Sequence, residues 1–170
     1  LRTSKMDFQQ VFPDVNEQDI CIQDFDSIDN HKELKFKLIN LVRENYEIAH
    51  SVNPVGVHSF QKWEELIFNE DTIKSGSFVI LKNNEIQAYS LLHYSNTPIQ
   101  FEFGWRGCRK KTDVRNMLIL TASQINYAFE KGVKYIEAEV DTTDYFSVEM
   151  LKFFPFSPAP TLLTVQKKDI

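Results

Sequence analysis

The period of apolar positions changes several times along this chain, and each change marks an element. Alternation at Ile20-Cys21-Ile22-Gln23-Asp24-Phe25 predicts a strand. Asp26, Ser27, Asp29 and Asn30 then supply turn and cap chemistry. Leu34, Leu38, Leu41, Val42 and Tyr46 share one face of a helix predicted over 31–46, which Asn53-Pro54-Val55-Gly56 breaks. Ser59 caps a second predicted helix, 59–68, with Trp63, Leu66 and Ile67 facing inward. Strands are predicted at 77–81 and 85–94. Asn83-Asn84 between them predicts a hairpin, because asparagine tolerates the left-handed backbone that such a turn needs. Asn96-Thr97-Pro98 is a further turn before a strand at 99–106. Val114, Met117, Leu118, Thr121, Ile125, Ala128 and Phe129 recur at helical spacing and predict a helix over 112–131, stopped by Gly132. A strand at 133–140, a helix at 143–153 opened by Thr143 or Asp144, the prolines 155, 158 and 160, and a last strand at 161–166 complete the pattern.

The predicted order is β–α–α–β–β–β–α–β–α–β, a mixed and mostly antiparallel sheet flanked by helices on both faces, of the α/β (α+β) class. Residues 1–19 read as a tail or linker with one short strand at 7–12, and residues 20–170 as the folded domain. The chain lacks an initiator Met and is expected to be a processed product or a fragment of a longer protein. At 170 residues a single core forms without disulfides or metal staples. Lys plus Arg is 19 and Asp plus Glu is 24, a net charge of −5, which argues against a nucleic-acid binder. No run of about 20 apolar residues predicts a membrane span. The two cysteines, Cys21 and Cys108, read as reduced thiols of a cytoplasmic protein.

Several chemistries have no motif here. The phosphate-loop, dinucleotide and serine-elbow patterns are absent. His31, His50, His58 and His93 stand singly, without metal-ligand spacing, so no metal is expected. What stands out is a strand that runs into the basic segment Arg106-Gly107-Cys108-Arg109-Lys110-Lys111 and then a helix. A helix start offers unpaired N–H groups and partial positive charge, so cations just ahead of it make an anion pocket suited to a pyrophosphate. The alternative is a solvated loop that happens to be basic.

The longer pattern resembles the GNAT superfamily of acyl-coenzyme A-dependent N-acetyltransferases. The resemblance rests on Tyr127-Ala128-Phe129-Glu130-Lys131-Gly132, on 135–140, on Phe154-Pro155-Phe156 and on the hairpin 78–89; it covers about 20–167 in topology and 78–156 in sequence pattern. It implies acetyl-CoA as co-substrate and a primary amine of a small molecule or peptide as acceptor. It also implies that Gly104 and Trp105 lie where a strand splays beside the acyl arm, and that Arg109, Lys110, Lys111, Thr112, Asp113, Val114 and Arg115 surround the diphosphate. The family loop carries two small residues. Depending on register, their places here fall on Arg115 and Met117 or on Thr112 and Val114. Glu102 stands where some members keep a general base, with His93 as a possible helper. The usual tyrosine acid position is Leu151, and Tyr145 is the tyrosine nearest it on that helix. Cys108 is a further, unpaired nucleophile candidate. Two other readings stand beside catalysis: a degenerate GNAT-fold binding or regulatory domain, paired with a second GNAT domain upstream or with its own copy, and an unrelated α/β interaction domain.

Overall fold

A computed structural model describes residues 1–16, 20–50 and 56–159. Five strands, β1 (Cys21–Asp24), β2 (Phe78–Lys82), β3 (Glu85–Tyr94), β4 (Gln100–Cys108) and β5 (Tyr135–Ala138), lie side by side in chain order. The first four are antiparallel neighbours and β5 runs parallel to β4. The helices are α1 (Phe8–Val11), α2 (Phe25–Asp29), α3 (Lys32–Ala49), α4 (Phe60–Ile67), α5 (Val114–Glu130) and α6 (Tyr145–Phe153).

Period-2 alternation on the strands divides the core into two halves. Val79, Ile86, Tyr89 and Leu91 face α2, α3 and α4, where Phe25, Leu38, Val42, Trp63 and Ile67 cover them. Ile80, Ala88, Leu92, Phe101 and Phe103 face the opposite way, under Met117, Ile119, Ile125 and Ala128 of α5 and Met150 of α6. Gln124 pins α5 to the sheet: its amide donates to the Ser90 carbonyl at 3.0 Å and accepts from the Ser90 hydroxyl at 2.6 Å. These groups are fully buried, so each must be paired.

The helices at 31–46, 59–68, 112–131 and 143–153 form close to their predicted limits, with His31, Ser59 and Asp144 accepting amides at three of the helix starts. The predicted hairpin also forms. Asn83 and Asn84 both take positive φ, 53° and 59°. A β-branched residue there meets the left-handed penalty, so Asn83→Val is expected to lose about 1–2 kcal/mol in urea unfolding.

Residues 7–12, expected as a strand, instead hold the helical turn α1, because the Asp7 carboxylate accepts the Gln10 amide. The segment ahead of Val15 packs on the domain. Thr3 N–H donates to Lys134 O at 2.9 Å, the Asn126 side chain brackets both backbone groups of Met6, and Phe12 is buried in the α5–α6 half of the core. The strand expected at 161–166 lies outside the described residues.

Candidate functional site

Four residues of β4, Gln100 to Phe103, pair with β5. From Gly104 to Cys108 the strand runs on without that neighbour, so a wedge opens between the two. At its root the β3–β4 register slips: Leu92 faces Phe103 and Ser90 faces Arg106, so Gly104 and Trp105 together oppose Leu91. That is a β-bulge, as a glycine inside a strand suggests. Gly104 is needed here, since a Cβ would run into the His93 imidazole and come within 3.0 Å of Leu91 Cβ. Gly104→Ala is therefore expected to lower stability by about 1–3 kcal/mol, read as a fall in melting temperature.

The bulge inverts the alternation. Phe101 and Phe103 face α5, while Trp105 packs against Tyr46 and Trp63 at ring distances of 5.0 and 5.9 Å. Arg106 then points back under α5 and α6. The expected basic loop consequently begins at Arg109, because Arg106, Gly107 and Cys108 still belong to β4. Arg106 is only 3 % exposed, and its Nη1 donates to Thr121 Oγ1 at 3.3 Å and to Met150 Sδ at 2.6 Å. Nη2 donates to the Gly104 carbonyl at 3.0 Å, and the guanidinium carbon stands 4.4 Å from the Phe103 ring centre. No carboxylate among the described residues forms an ion pair with it. Burial lowers its pKa to about 9, although Asp144 acts through space in the opposite sense. Chain order places Arg106 in the basic segment, and its burial is not visible there because the bulge changes which face it takes.

Beyond β4 a 3-10 turn, Lys111–Asp113, leads into α5. Asp113 accepts no amide from the first turn of α5, whereas the N-cap side chains of α1, α2, α3, α4 and α6 each accept one. Lys110 is exposed, and Lys111 Nζ sits 5.2 Å from the Tyr145 ring centre. Arg109 is committed elsewhere: it donates to Ile86 O at 3.1 Å and to Glu85 at 2.8 Å. Arg115 meets Asp14 at 3.5 Å, Thr112 donates to the Asp113 carboxylate, and Val114 packs against the core. Cys108 ties strand to helix, its thiol donating to Asp113 O at 3.1 Å. Burial pushes that thiol up to about 12, so it makes a poor nucleophile.

A cavity of about 110 Å³ lies at the outer end of the wedge, lined by Ala49, Cys108, Arg109, Lys111, Tyr145 and Phe146. Glu102 lies six residues back along β4 from Cys108, roughly 20 Å at the usual strand rise, on the face toward α3. Glu102 and Tyr145 therefore do not meet at this cavity. Burial first, then Glu139 and Glu137, raise the Glu102 pKa above the ordinary carboxylate value. His93 pairs with Glu102 across β3–β4, its Nδ1 lies 3.4 Å from Thr72 Oγ1, and burial lowers its pKa. Leu151 occupies the tyrosine position and is partly exposed.

Among the described residues no helix is long and apolar enough to cross a membrane. No family model and no curated protein sequence matches the chain. Solved structures do. An aminoglycoside acetyltransferase from an uncultured soil metagenomic sample, in complex with sisomicin, is similar with a TM-score of 0.60 at 10% identity, over 90% of this chain and 99% of that one. The ribosomal-protein-alanine N-acetyltransferase of Brucella melitensis biovar Abortus 2308 gives 0.57 at 6% identity, covering 86% and 96%. A transcriptional regulator from Bacillus halodurans C-125 gives 0.56 at 12% identity, covering 86% and 99%. The mixed, mostly antiparallel five-stranded sheet with helices on both faces is a GNAT-like fold.

Proposed function

We infer that the domain is a GNAT-type N-acyltransferase that takes an acetyl group from acetyl-CoA and passes it to a primary amine of a small molecule or peptide. The observation that carries this reading is the wedge itself. Five residues of β4 run on past its last pair with β5, and they lead to a helix start with no side-chain cap and two lysines next to it.

The residues present suit a diphosphate at one end. Val114 turns into the core rather than standing before the amides, and Lys110 and Lys111 supply charge. The bulge at Gly104-Trp105 suits the thioester end. Acetyl-CoA, when bound, supplies an activated acyl carbonyl. Glu102 is the group that takes the proton of the incoming amine, with Trp105 forming the wall beside it.

A second reading, a GNAT-fold domain that binds without catalysis, is favoured by the Asp113 carboxylate at the helix start and by the Arg109–Glu85 ion pair. Calorimetry with acetyl-CoA, and with an amine acceptor added, separates the two. Under the first reading the wild type binds, acetylates an amine, and loses roughly tenfold or more in affinity in the Lys110→Ala/Lys111→Ala double variant. Binding without turnover supports the second, and no heat at millimolar acetyl-CoA with folded protein defeats both.

A further inference from the structure

A buried guanidinium without a carboxylate is costly, because burial strips its water and neutral acceptors return only part of the loss. Replacement of such a group by an apolar residue of similar volume is often neutral or favourable, so its presence calls for a reason beyond packing. Arg106 is this case. It is buried, its partners are a threonine hydroxyl, a thioether, a backbone carbonyl and an aromatic face, and Asp144 reaches it only through space.

Its place is specific. It lies on the stretch of β4 that pairs with β3 but not with β5, holds the carbonyl of the bulged Gly104, and touches Met150 on α6, the residue before Leu151. Glu102 stands on the opposite face of the same strand, and Leu151 has no proton to give. One side of the bulge thus carries a proton acceptor and the other a buried positive charge that has no ion-pair partner among the described residues.

We propose that Arg106 is the electrostatic group that stabilises the departing coenzyme thiolate, in place of a side-chain proton donor. The inference rests on the acyl-CoA reading above. In the transfer, the ammonium form of the acceptor gives one proton to Glu102, and the nitrogen lone pair so freed forms the C–N bond. The C–S bond breaks with its electron pair on sulfur. The second nitrogen proton is lost to solvent, the sulfur takes one back from solvent, and Glu102 releases its proton to solvent, which leaves one proton over, as conversion of an ammonium and a thioester to an amide and a thiol requires. Arg106 neither gains nor loses a proton. Its charge, fixed in a medium of low polarity, lowers the energy of the anion that forms near it.

The test is the acidity of the bound coenzyme A thiol, followed by ultraviolet absorbance of the thiolate against pH. Calorimetry establishes binding and urea unfolding establishes folding for each variant. With the wild type the bound thiol is expected to be at least tenfold more acidic than in free coenzyme A. Arg106→Met is expected to bind coenzyme A with the thiol returned to its free acidity, and Arg106→Lys to retain part of the shift. If the methionine variant does not fold, Arg106→Gln provides the uncharged comparison. A bound thiol of ordinary acidity in the wild type, or an equal shift in the uncharged variant, overturns the role of Arg106 while leaving the binding site intact. Failure of folded wild-type protein to bind coenzyme A overturns the acyl-CoA reading and this inference with it.

Discussion

Replacing Phe12 by alanine is expected to cost about 3–5 kcal/mol of stability, the range for deleting a fully buried aromatic ring. Phe12 is 2 % exposed, stacks on Phe153 of α6 with ring centres 5.6 Å apart, and meets Phe8 at 5.1 Å. A linker residue would give a change near zero. The measurement is urea unfolding followed by tryptophan fluorescence. Trp63 and Trp105 both lie in the opposite half of the core, so they report global unfolding rather than loss of the local contact. A loss below about 1 kcal/mol would mean that the first fifteen residues are an appendage, since surface changes fall within about 0.5 kcal/mol.

The second large effect concerns catalysis. Under the N-acyltransferase reading, Glu102→Gln is expected to lower kcat by roughly 10²- to 10⁴-fold, with little change in the KM for acetyl-CoA. The sign of the pH dependence follows from the direction of the Glu102 shift. Burial, and then Glu139 and Glu137, disfavour the charged form. The carboxylate must be ionised to accept a proton, so activity falls as pH drops through this raised value. The acid limb therefore lies higher in pH than an unperturbed glutamate would place it. Glu137→Gln removes one of the repelling charges and is expected to move that limb down in pH. Unchanged kcat in Glu102→Gln assigns the proton acceptor elsewhere.

Local chemistry made most of the fold legible. The hairpin at Asn83-Asn84 and the helix over 114–130 needed only turn residues and a 3.6-residue period, which no tertiary contact overrides here. The start of the chain was not legible. Phe8, Val11 and Phe12 are too few to show a period, and their burial depends on the α5–α6 groove supplied by residues a hundred positions later.

The candidate site was legible where it rests on chain order, as with Lys110, Lys111 and the helix start. It was not legible where it rests on register. One extra residue at Gly104-Trp105 turns Trp105 toward α3 and Arg106 toward α5, and alternation read along the strand does not contain that slip. Arg109 shows the same limit: its partner Glu85 comes from the far end of the hairpin. Tyr145 is drawn to Lys111 rather than toward Glu102.

Amide chemical-shift mapping of ¹⁵N-labelled wild-type protein titrated with coenzyme A tests the wedge most directly. The shifted amides are expected to form one continuous track, from Gly104 through Cys108 to the 110–116 segment, with the hairpin amides of Asn83 and Asn84 unmoved. A track confined to other elements, or an unchanged spectrum at millimolar coenzyme A, contradicts the assignment of this wedge as the acyl-CoA site.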